Sequence, residues 1–126
     1  MSIRVFDFFS GCGGTSLGFA NAGCNIEFSL DIDRDAISTF KKNFPNAESL
    51  CADITQVDPS YLLRIIEYRD DPLLFCGCAP CQPFSKQNRQ KKQQDPRKNL
   101  LLEFSKFIIY WKPEFLMIEN VPGLQK

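Results

Sequence analysis

Apolar residues in this chain fall into short continuous runs that alternate with stretches of helical spacing. Ile3 to Phe9 is almost continuously apolar and reads as a buried strand, ending at the glycine-rich run Ser10-Gly11-Cys12-Gly13-Gly14. From Thr15, a candidate cap, Leu17, Gly18, Phe19 and Ala22 mark one face of a helix that Gly23 stops. The pattern repeats with Ile26 to Leu30 as strand, Asp35 to Asn43 as helix with Ala36, Ile37 and Phe40 inward, and a short strand near Ser49 to Cys51. Pro59 to Tyr68 predicts a further helix, with Pro at its start and Leu62, Leu63, Ile65 and Ile66 packing. Leu73 to Cys76 predicts a fourth strand. Leu100, Leu101, Phe104, Phe107, Ile108 and Trp111 recur at helical spacing, Pro113 ends that helix, and Phe115 to Ile118 predicts a fifth strand.

Strands alternating with helices predict an α/β domain, doubly wound around a mostly parallel sheet, with its ligand site at the carboxyl ends of the strands. Residues 79–99 lack apolar periodicity and are rich in Gln, Lys and Arg. They predict a long loop, which in a compact domain is more often functional than not. No internal repeat or linker divides the chain, and 126 residues with 44% hydrophobic content hold one core.

Charge narrows little: 15 basic and 15 acidic residues cancel, so any nucleic-acid role must come from local clustering. The six cysteines, at positions 12, 24, 51, 76, 78 and 81, are expected to be reduced and cytoplasmic, because the start MSIRVFDFF lacks a basic region, a sustained apolar run and a cleavage site. Ser, Gly, Asp or Lys interrupts every apolar stretch before the roughly 20 residues needed to cross a bilayer, so no membrane partner is expected.

The glycine run allows close approach of backbone amides to a ligand, or it is a structural turn. Its spacing, Gly11, Gly13, Gly14 and then Gly18, fits the G-x-G-x-x-G dinucleotide fingerprint poorly. Asp31, about 20 residues on, stands where a carboxylate accepts from ribose hydroxyls and points to an adenosine-containing cofactor. Asp33 and Asp35 read as solvated or capping, Asp35 being the better candidate cap. Asp53 is either a loop carboxylate or an acceptor for an adenine amino group. Three thiols cluster in Cys76-Gly77-Cys78-Ala79-Pro80-Cys81-Gln82-Pro83-Phe84-Ser85. Structural zinc needs four ligands and the chain has no His, so no metal is expected. Cys76 and Cys78 read as packing residues, whereas prolines stiffen the loop around Cys81, which suits a held nucleophile.

Phe8-Phe9-Ser10-Gly11-Cys12-Gly13-Gly14, Ala79-Pro80-Cys81-Gln82-Pro83-Phe84-Ser85 and Ile118-Glu119-Asn120-Val121 resemble, in order and spacing, three motifs of the cytosine-5 DNA methyltransferases. With Asp31, Asp53-Ile54 and Asn99-Leu100 the resemblance covers essentially the whole chain. It implies the Rossmann-like fold of S-adenosylmethionine-dependent methyltransferases, here incomplete. It also implies methyl transfer from S-adenosylmethionine to carbon 5 of cytosine in duplex DNA. Cys81 matches the nucleophile that adds to carbon 6, and Glu119 the carboxyl group that shares a proton with ring nitrogen 3. Pro80, Gln82 and Asn120 match supports for those two groups. Phe9, Gly11, Gly13 and Gly14 match the cofactor lining, with Asp31 on ribose, Asp53 and Ile54 at adenine and Leu100 against the methionine portion. The target base must be flipped out of the duplex. Ser85, Lys86, Arg89, Lys91 and Lys92 are the expected DNA contacts, in a segment where six basic residues, Arg97 and Lys98 included, outweigh Asp95 for a local charge of about +5.

Asp31 stands where most of the family carries Glu. The family's later Gln-x-Arg-x-Arg motif, its target-recognition region and its last cofactor motif have no counterpart. Residues 1–126 are therefore expected to be the first part of the catalytic domain, at work in the bacterial nucleoid, with the C-terminal portion in cis or as a second chain and little turnover alone. A cytosine-5 transfer RNA methyltransferase and a non-catalytic cofactor-binding regulatory module are the competing readings; retention of Cys81 and Glu119 disfavours the second.

Overall fold

Runs of Val, Ile, Leu and Phe without polar alternation form strands buried on both faces, which is what a parallel sheet between helical layers requires. The computed structural model describes residues 2–78 and 96–119. In chain order these form β1 (Arg4–Phe8), α1 (Gly14–Asn21), β2 (Asn25–Asp31), α2 (Arg34–Asn43), β3 (Glu48–Cys51), two 3-10 turns (Ile54–Gln56 and Pro59–Arg64), β4 (Leu73–Cys78), α3 (Pro96–Trp111) and β5 (Phe115–Glu119). All pairings are parallel, in the order β3-β2-β1-β4-β5. The winding reverses between β1 and β4, and the crevice outside the strand ends at such a reversal is where α/β sheets bind ligands.

Phenylalanine dominates the main core. Phe6, Phe8, Phe28 and Phe75 of the sheet meet Phe104 and Phe107 of α3, with ring centroids 4.8–6.2 Å apart in tilted pairs. Such pairs add about 0.5–1.5 kcal/mol each beyond the area they bury. Leu62 and Ile66, from the second 3-10 turn and the residues after it, close this layer. On the opposite face Val5, Leu74 and Cys76 pack with Phe19 of α1.

Several local expectations are corrected. Gly13, at φ 105°, caps α1 in place of Thr15, and Ser16 is the helix residue turned to the sheet while Leu17 is 54% exposed. The reason is Asp7, which lies buried in β1 and takes the Ser16 hydroxyl at 2.6 Å. Satisfying a buried carboxylate outweighs burying one leucine. Asp33, rather than Asp35, caps α2 by accepting from the amides of Asp35 and Ala36. The element after Pro59 is a 3-10 turn ending at Arg64, and Leu63 points outward. Helix α3 starts inside the stretch read as loop, with Pro96 in its first turn, where a missing N–H costs nothing. Residues 79–95 lie outside the described residues.

At the sheet edge, β5 has no neighbour among the described residues on its outer side, and Phe115, Leu116 and Ile118 are 43–48% exposed.

Candidate active site at the carboxyl edge of the sheet

The end of β1 is where backbone conformation first becomes unusual. Phe9 holds φ 58° and Gly11 φ 56°, both left-handed, and a bulky residue is rarely found there without a compensating role. The Phe9 ring meets Phe104 edge-on at 6.3 Å, which anchors the strained residue. Beside Gly11 the space is open, so a ligand can approach the main chain, whereas a Cβ on Gly13 would stand 2.9–3.0 Å from the rings of Phe44 and Phe40. Gly13 is thus needed for packing and its positive φ, and Gly11 for access. Gly14 opens α1, whose first amides have no intrahelical acceptor.

Asp31, the last residue of β2, fixes this loop. Its Oδ2 accepts from the Gly11 amide at 2.8 Å and its Oδ1 from the Asp33 amide at 2.9 Å. A carboxylate offers about four acceptor sites, so two remain for hydroxyl donors. After β3, Asp53 accepts from the Thr55 amide and hydroxyl at 2.9 and 2.8 Å, capping the first 3-10 turn. Ile54 is 3% exposed inside the aromatic core, so it can present main chain to a ligand but not its side chain. Leu100, in the first half of α3, is half-buried against the same core.

Glu119 ends β5, directly across from Cys78 at the last rung of the β4–β5 ladder. The Cys78 thiol donates to Glu119 Oε2 at 3.0 Å. Desolvation and then the Glu119 carboxylate push the Cys78 thiol up to about 12, so at neutral pH it is a donor and not a thiolate. Two residues back on β4, Cys76 is fully buried and its thiol is pushed up further, chiefly by burial. Cys76 pairs with Asp7, whose carboxyl burial raises from 3.8 to about 6 despite the Ser16 hydroxyl bond.

Five segments therefore converge at one edge: Phe9–Gly14, Asp31, Asp53, the start of α3 and Glu119. Cys81, Pro80, Gln82 and Asn120 lie outside the described residues, as do Ser85, Lys86, Arg89, Lys91 and Lys92. Sequence reasoning passed over Asp7, Ser16 and the link from Cys78 to Glu119. Two signals were available: Asp7 is the one acidic residue inside the first apolar run, and Cys76 and Cys78 are two apart, on one strand face. Among the described residues no three His, Cys, Asp or Glu side chains group as metal ligands, and no helix is long and apolar enough to cross a membrane.

The family model for C-5 cytosine-specific DNA methylases matches residues 3–126. The chain belongs to that family. Among the chain's relatives are the type II methyltransferase M.DdeI of Desulfomicrobium norvegicum, 36% identical over 122 residues, and M1.HphI of Haemophilus parahaemolyticus, 36% over 126. These matches take in 97% and 98% of this chain but 28% and 34% of the relatives. A solved structure described as a DNA modification methyltransferase encoded within an E. coli prophage superposes with a TM-score of 0.80 at 33% identity, over 99% of this chain and 34% of that one. The chain thus spans about a third of the length of these proteins, and its α/β fold is that of S-adenosylmethionine-dependent DNA methyltransferases.

Proposed function

We propose that residues 1–126 are the cofactor-binding, nucleophile-bearing first part of a DNA (cytosine-5-)-methyltransferase. The observation that carries this reading is the convergence of the Phe9–Gly14 loop, Asp31, Asp53 and Glu119 at the switch-point edge of a chain in this family. The residues fit S-adenosylmethionine: open space at Gly11, an Asp31 carboxylate with acceptor capacity left, and unpaired amides at the start of α1 make a cradle for an adenosine-bearing ligand. Phe9, Gly11, Gly13 and Gly14 line it, Asp31 takes the ribose, Asp53 and the Ile54 main chain take adenine, and Leu100 covers the methionine portion. The bound cofactor supplies an electrophilic methyl group.

In this reading the chain's residues do the rest. The Cys81 thiolate adds to carbon 6 of a flipped cytosine, which opens the 5,6 double bond and makes carbon 5 nucleophilic. Glu119 holds ring nitrogen 3 and offsets the charge that develops there. Pro80 and Gln82 shape the nucleophile's loop, and Asn120 supports Glu119. Ser85, Lys86, Arg89, Lys91 and Lys92 meet DNA phosphates, a salt-sensitive contact. The C-terminal two-thirds of the catalytic domain, in cis or as a second chain, covers the apolar β5 edge and supplies base recognition. An edge left bare invites pairing with another strand.

Trapping tests this. The chain, alone and complemented by the portion of a relative outside the match, is mixed with S-adenosylmethionine and duplex DNA containing 5-fluorocytosine, whose fluorine blocks the final elimination. The expected result is an adduct in the complemented protein that maps to Cys81 by mass spectrometry and vanishes in Cys81→Ala, with little or none from the chain alone. No adduct from a folded, cofactor-binding, complemented protein would refute the DNA reading; an adduct on 5-fluorocytosine transfer RNA instead would redirect it to RNA.

A further inference from the structure

We infer that Cys78 is a positioning residue for Glu119: its thiol engages Oε2 and fixes the plane of the carboxyl group, so that Oε1 is the oxygen that meets the pyrimidine. The inference rests on the function proposed above and adds a residue to its machinery.

Three observations carry it. Cys78 and Glu119 are paired across the β4–β5 ladder, so their separation is set by sheet register and not by a loop. The Sγ to Oε2 distance of 3.0 Å is short for a thiol donor. Glu119 is otherwise an exposed side chain at a strand end, where a glutamate samples several rotamers unless something holds it. A thiol held protonated well above neutral pH suits the task twice over. It remains a donor under working conditions, and it does not compete with Cys81 for carbon 6, because only a thiolate adds there. Cys76 provides an internal contrast: the same residue type, two positions back, faces Asp7 and the Phe6 carbonyl inside the core and has no reach to the edge.

The test has two arms. In the first, the S–H stretching band of Cys78, assigned by its loss in Cys78→Ala, is compared between the parent chain and Glu119→Gln. A thiol bonded to a carboxylate absorbs at lower frequency, so the band is expected to rise in Glu119→Gln; an unmoved band overturns the inference. In the second, the complemented protein is assayed for single-turnover adduct formation on 5-fluorocytosine DNA. Cys78→Ala is expected to slow the adduct step about three- to tenfold, the scale of one hydrogen bond, with affinities for S-adenosylmethionine and DNA unchanged. Cys78→Ser, which keeps a donor, is expected to restore the rate to within about twofold of the parent. Undiminished trapping in Cys78→Ala, beside trapping by the parent, removes the positioning role while leaving the proposed function intact. Absence of trapping by the folded parent removes the reaction itself, and the positioning role with it.

Discussion

Asp7→Asn makes the buried carboxylate of β1 measurable. Asp7 is 3% exposed, receives one hydroxyl from Ser16 at 2.6 Å, and lies beside Ser29 in register, whose own buried hydroxyl has no partner. Burial raises its carboxyl from 3.8 to about 6. The folded chain thus holds this proton more tightly than the unfolded chain does. The associated stability is fully present below about pH 4 and is lost as pH rises through about 6. A displacement of about two units corresponds to roughly 3 kcal/mol, an order-of-magnitude figure for a group this deep. Asparagine keeps the shape and an acceptor for Ser16 but cannot ionise. Urea unfolding of both proteins between pH 4 and 7.5 is the assay, since every other titrating group is shared and drops out of the difference. Between pH 4 and 6.5 the parent is expected to lose roughly 2 kcal/mol relative to Asp7→Asn, and any cost of an unpaired amide N–H in the variant is a constant offset that leaves this slope unchanged. Parallel pH dependences would refute the reasoning, because they would mean that Asp7 titrates alike in the folded and unfolded chains.

Two further outcomes follow from close contacts. A Cβ on Gly77 would stand 2.8 and 3.0 Å from Phe104 Cδ2 and Cζ and closer still to Cε2, so Gly77→Ala must push a ring already packed on Phe8 and Phe9. It is expected to destabilise by about 1–3 kcal/mol in denaturant titration, with part recovered when Phe104→Leu is added. Asp31→Ala removes the acceptor for the Gly11 and Asp33 amides and is expected to weaken S-adenosylmethionine binding at least about tenfold by calorimetry; unchanged affinity would detach Asp31 from the cofactor site.

The strands and the parallel α/β class were the most legible features of the chain. Continuous apolar runs such as Ile26 to Leu30 have few alternatives to a buried parallel strand, and α2 kept Ala36, Ile37 and Phe40 on its inner face as the spacing predicted. What escaped was decided by single polar groups. Asp7 rotated α1 to present Ser16, an exchange invisible to a hydrophobic count. Asp33 won the cap of α2 over Asp35 because its side chain reaches two amides, which depends on where β2 releases the chain. For the candidate site, motif resemblance supplied the candidates, but Cys78 meets Glu119 only because strand residues 41 apart in sequence share a register. No local pattern encodes that pairing.

Trp111 is the chain's sole tryptophan, and its indole N–H donates to the Pro59 carbonyl at 2.8 Å where the end of α3 meets the second 3-10 turn. Its emission therefore comes from one place. Helix α3 leads directly from the segment carrying Cys81 to this contact, so a shift of the helix on ligand or DNA binding would alter the indole's polarity and quenching. The protein carries a built-in optical reporter on the helix that follows the segment containing Cys81, and stopped-flow fluorescence can read it without a label.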